Sequence, residues 1–228
     1  MATNGGPNVI EEGLVFYVDA ANKKSYPRSG TTWSDLAGNN NGTLTNGPTF
    51  SNTNGGGIST DGSDDYITLP TGVVPANTDV TISFTARNDY TSLATNKGIF
   101  AIAGSAGSEL QFYLGGTSGG AHGRVGTYNG SSYGNSPAGY MQFPIGETHS
   151  FTLVIDSSGD FKLYKDGALE ASVSGISFTA NAATYLGRYS SNTNHGEFTL
   201  YNVRIYDRAL TDAEVLQNYN ALKPRFNL

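Results

Sequence analysis

Cysteine is absent from the 228 residues, which excludes both a disulfide framework and a thiolate metal site. Basic residues are scarce: 13 Lys and Arg stand against 19 Asp and Glu, a formal net charge of -6. Phosphate backbones and anionic lipid headgroups are held by clustered cations that displace counterions, so nucleic acid is not an expected partner. Long apolar runs are missing too. The earliest, Leu14 to Val18, is far too short for a membrane span or a signal-peptide core, and Met1 to Pro7 carry no Lys or Arg. The expectation is a product made in a cytosol, without membrane insertion. Only three histidines occur, His122, His149 and His195, and no two have metal-ligand spacing.

What the chain does have is turn and strand chemistry. Its 30 glycines include Asn-Gly steps at Asn41, Asn46, Asn54 and Asn129, which suit turns. Val80, Ile82, Phe84 and Ala86 alternate with Thr81, Ser83 and Thr85, the period of a half-buried strand. Residues 149 to 173 read as a three-strand meander turned at Asp166-Gly167. Further strands are expected at Leu14 to Asp19, Gly56 to Thr60, Tyr66 to Leu69, Gly98 to Ala103, Glu109 to Leu114, Gly123 to Tyr128, Met141 to Phe143 and Ala182 to Arg188. Gly38 to Gly57 is polar, but Leu44, Pro48, Phe50 and Ile58 give it apolar anchors, so an ordered crossover is expected rather than a tether. With 37% hydrophobic residues, the chain can bury a core without staples.

The late part of the chain carries the sharpest local signals. Phe198, Leu200, Tyr201, Val203 and Ile205 form a strand whose inward phase slips by one residue, predicting a bulge. Thr211-x-x-Glu214 then predicts a capping box opening a helix over 212–221. Val215, Leu216, Tyr219 and Leu222 share one face of it, and Pro224 is expected to end it. The fold class is therefore all-β, with two antiparallel sheets and one short C-terminal helix.

Ordered blocks along the chain resemble a known family. They are Gly13-Leu14-Val15-Phe16-Tyr17-Val18-Asp19, Trp33-Ser34-Asp35-Leu36-Ala37-Gly38-Asn39, Asn41-Gly42-Thr43-Leu44, Asp61-Gly62-Ser63-Asp64-Asp65-Tyr66-Ile67, Phe161-Lys162-Leu163-Tyr164-Lys165-Asp166-Gly167 and Val203-Arg204-Ile205-Tyr206-Asp207-Arg208-Ala209-Leu210. Together they are similar to the laminin-G-like jelly rolls of the concanavalin A-like lectin and glucanase superfamily. The resemblance implies a jelly-roll sandwich over residues 13–228, with residues 1–12 as an N-terminal arm and Trp33 as a core anchor. The first blocks also resemble structural proteins of tailed phages, especially marine ones. A virion component made in the host cytosol fits the lack of an export signal, and the virion is the expected location.

Catalytic patterns are absent or out of context. The related glucanases carry Glu-x-Asp-x-x-Glu on a strand, and no glutamate here has such partners; Glu109, near Gln111, comes nearest. Gly130-Ser131-Ser132-Tyr133-Gly134 and Gly116-Thr117-Ser118-Gly119-Gly120 match the nucleophile-elbow string, which needs a strand before it and a helix after it. No helix is expected after either. His149 reads as a surface or packing residue. The chain is not expected to be an enzyme and requires no cofactor.

Asp61, Asp64 and Asp65 crowd one turn, where hard oxygen donors suit a structural calcium ion. Relatives implied by the resemblance often hold calcium at the sandwich rim, with acidic residues just before the position of Val203. This chain has Tyr201 and Asn202 there. A binding surface is expected on loops, which offer aromatic faces and fixed polar groups to a sugar ring. Gly115 to Tyr140 supplies His122, Arg124, Tyr128, Asn129, Tyr133 and Tyr140; Tyr189 to His195 supplies Asn192 and His195. The expected function is a lectin-like recognition module binding glycans on a host surface. The alternative is a virion assembly or decoration protein whose loops meet other viral subunits, and a homo-oligomer is expected in the assembled particle.

Overall fold

The computed structural model describes residues 7–75, 79–91, 97–102, 108–117, 120–129, 133–135, 141–174, 183–189 and 193–228. For residues 102, 108, 109, 111, 113–117, 120–129, 133–135, 141 and 173 it describes the backbone alone.

Two antiparallel sheets face each other. One holds β1 (Leu14–Asp19), β4 (Thr49–Ser51), β5 (Gly57–Asp61), β7 (Val80–Asn88), β13 (Thr148–Ile155), β14 (Phe161–Lys165), β15 (Ala168–Val173) and β17 (Glu197–Tyr206), in the order β15-β14-β13-β7-β17-β5-β4 with β1 also on β17. The other holds β2 (Thr32–Trp33), β3 (Gly42–Thr45), β6 (Tyr66–Leu69), β8 (Lys97–Ile102), β9 (Ser108–Thr117), β10 (Gly120–Asn129), β11 (Tyr133–Asn135), β12 (Met141–Gln142) and β16 (Thr184–Leu186), in the order β11-β10-β9-β8-β16-β6-β3-β2 with β12 also on β10. The expected two-sheet sandwich is what forms, and the meander appears as β13, β14 and β15. Asp166 and Gly167 both take positive φ at its second turn. The polar stretch from Gly38 to Gly57 is ordered into β3, β4 and a 3₁₀ turn, Thr53–Gly55.

Alternation puts one apolar face of each sheet into a common core. Ile82, Phe84, Phe151, Val203 and Ile205 from the first sheet meet Ile67, Leu69, Phe100, Leu110, Phe112 and Leu186 from the second, and all are buried. Phe84 sits at the centre, with ring centroids 5.1 Å from Phe112 and 5.4 Å from Phe151. Burying such a ring stabilises by roughly 2 kcal/mol. Trp33 is fully buried, as the resemblance implied.

The phase slip in β17 has a structural cause. Its first half, Glu197 to Leu200, pairs with β5, while Asn202 to Tyr206 pair with β1. The register against β7 shifts between Leu200 and Asn202. Tyr201 is the extra residue at the place where the strand changes neighbours, and its carbonyl accepts from Ala20 N at 3.0 Å.

Helix α1 (Asp212–Phe226) covers the outer face of the first sheet, hereafter the covered sheet. Its capping box forms: Glu214 N donates to Thr211 Oγ1 at 3.3 Å and Thr211 N to Glu214 Oε2 at 2.8 Å. Two expectations fail. The inward helix residues are Val215, Asn218 and Phe226, whereas Leu216 is 47% exposed. The surface beneath is mixed: Val154, Tyr164, Tyr206 and Leu210 form a small apolar cluster around Val215, and Thr81, Ser83, Thr85, Thr152, Asn202 and Arg204 are buried beside it. A polar helix residue therefore suits the contact: Asn218 accepts from Ile10 N at 2.8 Å and donates to the Tyr206 hydroxyl at 3.1 Å. The helix also runs past Pro224 to Phe226. Arg225 holds the extra turn. Its Nη1 donates to both oxygens of Asp19, at 2.7 and 2.8 Å, and its Nε and Nη2 donate to the carbonyls of Asn54 and Gly56. A left-handed Asn227 then caps the end, its N–H donating to Lys223 O.

Candidate functional site

The turn between β5 and β6 gathers acids at one rim of the sandwich. Asp61 ends β5, and its Oδ1 accepts from Ser63 N at 2.8 Å, closing the turn on itself. Asp65, 5% exposed, accepts from Asp61 N at 3.2 Å, and Asn46 donates to the Asp64 carbonyl at 3.0 Å. Asp61, Asp64 and Asp65 each offer a carboxylate oxygen, all within 4.8 Å of one another. The Ser63 amide and its neighbours lower the pKa of Asp61, while burial and then the Asp61 charge raise that of Asp65. Such crowded oxygens match the donor type that calcium takes.

Next in sequence is Tyr66, on β6. Pairing of β6 with β16 brings Tyr185 beside it, the two rings lying 6.2 Å apart at 75°. Arg188 lies against both rings, its guanidinium carbon 3.6 Å from the centroid of Tyr185 and 4.5 Å from that of Tyr66. It is 6% exposed and donates to the Tyr189 carbonyl at 3.0 Å. The cation holds two half-buried phenol rings in fixed attitudes, a contact worth about 1 kcal/mol. The ring of His195 is 6.1 Å from that of Tyr66. Burial and then the Arg188 charge lower the His195 pKa, so the imidazole is neutral near pH 7.

Two glycines bring these pieces together. A Cβ on Gly98 would lie 2.5 Å from the Arg188 carbonyl carbon, and one on Gly196 would lie 2.5 Å from the Gly98 carbonyl oxygen. Gly98 N donates to Asn194 O at 2.9 Å and Gly196 N to Gly187 O at 2.8 Å. No side chain fits between β8 and the segment that carries Arg188 and His195.

The other expected binding residues sit elsewhere than expected. His122, Arg124, Tyr128 and Asn129 lie on β10, a ten-residue strand, and Tyr133 lies on β11; these are strand positions rather than loops. Strands β9 and β10 pair without interruption from Ser108 opposite Asn129 to Thr117 opposite Gly120. Strands on both sides of β10 keep its glycines extended, a constraint that glycine frequency alone does not reveal. In register, His122 faces Gly115 and Gln142, Arg124 faces Tyr113, and Tyr128 faces Glu109 and Tyr133. Tyr140 and Asn192 lie outside the described residues. One row of partners runs Thr68, Tyr185, Ala101, Gln111, Gly126 across the sheet. It places β10 three strands from Tyr185, roughly 14 Å at the usual strand spacing.

Sequence inspection missed Tyr66, Tyr185 and Arg188. The usable signal was Tyr185-Leu186-Gly187-Arg188-Tyr189, an arginine flanked by aromatics beyond a glycine that takes a φ of +101°.

A cleft of about 410 Å³ lies on the covered sheet's side, lined in part by Arg87, Glu147, His149 and Phe226. There His149 Nδ1 is 2.6 Å from Asp166 Oδ2 and its Nε2 is 2.9 Å from Glu147 Oε2. Both ring nitrogens face carboxylates, so the imidazole has no lone pair directed at a substrate. The ring also packs edge-on against Phe143, as a packing residue would. Of the two nucleophile-elbow strings, Gly116 and Thr117 end β9, Gly120 begins β10, and Tyr133 and Gly134 lie on β11, while Ser118, Gly119 and residues 130–132 lie outside the described residues.

Several solved structures share this architecture. Domain 4 of AbnA, a GH43 extracellular arabinanase from Geobacillus stearothermophilus solved with arabinotriose, superposes with a TM-score of 0.72 at 21% identity, over 92% of this chain and 100% of that one. The receptor binding domain of botulinum neurotoxin type G gives 0.69 at 13% identity, over 91% of this chain and 51% of that one. Trypanosoma rangeli sialidase in complex with the inhibitor DANA gives 0.66 at 14% identity, over 95% of this chain but only 35% of the enzyme. At these identities the likeness is one of fold. No curated protein matches the sequence. Residues 61–216 match the family model described as the concanavalin A-like lectin/glucanases superfamily, which takes in the acidic turn, both tyrosines, Arg188 and β17, and the chain belongs to that superfamily.

Proposed function

We propose that this chain is a glycan-binding module that performs no bond chemistry, with Tyr66, Tyr185 and His195 contacting the sugar. The observation that carries this is the tyrosine pair locked on Arg188 beside the acidic turn. It joins rigid aromatic surface to fixed polar groups, the combination that sugar rings require. Glycoside hydrolysis needs two carboxyl groups on either side of a bound sugar, about 5 Å or more apart. The converging carboxylates of Asp61, Asp64 and Asp65 instead share one turn, and those of Asp61 and Asp65 accept its own amide protons, which supports a non-catalytic role. The arabinotriose bound to the arabinanase domain supports a carbohydrate ligand.

A panel of immobilised oligosaccharides tests the proposal. Saturable binding that falls about tenfold in Tyr185→Ala, with the fold intact by circular dichroism, is the expected outcome. Release of reducing sugar from any member would sink the non-catalytic part. A structural calcium ion at Asp61, Asp64 and Asp65 belongs to the same proposal, and it predicts a melting temperature raised by calcium and insensitive to it in Asp65→Asn. Adhesion to a host surface as part of a virion rests on the phage-like wording of the first sequence blocks, and labelled particles in electron micrographs would locate the chain.

One observation favours subunit contact as a second reading. Leu169 is 50% exposed and Leu216 is 47% exposed, on the covered sheet and its helix, and a Cβ on the intervening Gly167 would touch Leu216. Light scattering that shows a concentration-dependent oligomer, abolished by Leu216→Glu, is what assembly requires.

A further inference from the structure

Charge is distributed over the molecule in a way that bears on which glycans fit. Across the nine strands of the second sheet, only Lys97, Glu109 and Arg124 are charged; the remaining residues are neutral, and Thr, Tyr, Gly and Asn recur among them. The rim beside Tyr66 is acidic. Asp61, Asp64 and Asp65 crowd it, and Glu197 pairs with Asp61 across β5 and β17.

The cations nearby are Arg188, Lys97 and Arg87. Arg188 is enclosed by two rings and bonded to a carbonyl. Arg87 is paired with Asp89 at 2.8 Å. Lys97 begins β8 next to Gly98, whose amide donates to Asn194 O, and it has no ion pair among the described residues. His195 is neutral and adds no charge to set against the acids.

Resting on the glycan-binding function proposed above, we infer that the Tyr66–Tyr185–His195 site selects uncharged glycans and discriminates against sialylated or uronate-bearing ones. Hydroxyl groups can hydrogen-bond to the exposed carboxylates of Asp61 and Asp64. A sugar carboxylate at the same place gives up hydration and meets the like charges of Asp61, Asp64, Asp65 and Glu197, against which, among the described residues, Lys97 is the one nearby cation not already engaged. The selection works by repulsion as much as by attraction, as specificity commonly does.

The experiment compares matched oligosaccharides that differ only in a terminal sialic acid or uronic acid, by calorimetry with the full chain in chelator, so that no divalent cation masks the carboxylates. The neutral member should bind at least about tenfold tighter than its acidic partner. That ratio should shrink in high salt and in Asp61→Asn/Asp64→Asn, with the fold of the variant verified by its melting curve. Equal or tighter binding of the acidic member overturns the inference while leaving glycan binding itself intact. Acidic binding that is lost in Lys97→Gln or Arg124→Gln overturns it in the same way and names the cation responsible. Binding of neither member removes the proposed function and the selectivity with it.

Discussion

On the covered sheet, charge is put to structural use: Asp19 is clamped by Arg225, and Lys162 and the Tyr164 hydroxyl both donate to Asp212 at the helix start. Arg204 is fully buried beneath the helix, donating to Ser83 at 3.4 Å. Among the described residues the second sheet has no ion pair of this kind and no helix lies on it; its strands are nearly uncharged, and its one buried cation, Arg188, rests on tyrosine rings. The same core therefore supports one outer face closed by a helix and another on which the described side chains of β6 and β16 include half-buried Tyr66, Thr68 and Tyr185. Ion pairs at the first act on folding, whereas at the second the Tyr66 and Tyr185 rings are the described surface on which the proposed function rests.

The largest effect should come from the core that both sheets share. Phe84→Ala removes the ring at the centre of the aromatic cluster and should cost about 4 kcal/mol in denaturant unfolding. A loss much below that would mean the two faces are not coupled through this core. Next comes Arg225→Ala, which leaves Asp19 largely buried without its guanidinium and should cost about 3 kcal/mol. Glycan binding measured well below the melting temperature should be unchanged by it. Tyr185→Ala sharpens the contrast from the other side, with a stability loss of only about 1 kcal/mol alongside a large loss of binding.

The smallest effect is acid-dependent. The Arg208 guanidinium first, and then the Thr211 amide and hydroxyl, hold the Glu214 pKa down at about 2 against its usual 4.5. The folded-state value is the lower one, so the carboxylate favours the fold above pH 4.5 and that contribution fades as the pH falls toward 2. Glu214 is partly exposed, and the amount should stay below about 1 kcal/mol. Melting curves between pH 5 and pH 2 should show it, with Glu214→Gln lacking this share of the slope.

Most of the architecture was legible in the sequence because strand alternation, Asp166-Gly167 and the Thr211–Glu214 box are local signals. The bulge at Tyr201 was legible for the same reason, since a phase slip is written in the order of side chains. The orientation of α1 was not. Reading Val215, Leu216, Tyr219 and Leu222 as the packing face assumed a wholly apolar surface beneath, and only pairing β17 with β1 and β7 reveals that Asn202, Arg204 and Thr85 are part of it. The site was half legible. The acidic turn and His195 stood out as residue types, whereas Tyr66 and Tyr185 are 119 positions apart and meet only because β6 and β16 are neighbours.

The place of β17 in the sheet has a consequence for biosynthesis. It lies between β7 on one side and β5 and β1 on the other, yet it is the last strand in the chain. A ribosome that has not yet released Tyr206 carries β15-β14-β13-β7 unjoined from β5-β4, with β1 paired to neither. Closure of this domain must therefore wait until translation has passed that residue, and a nascent chain stopped short of it has nothing to seal the seam.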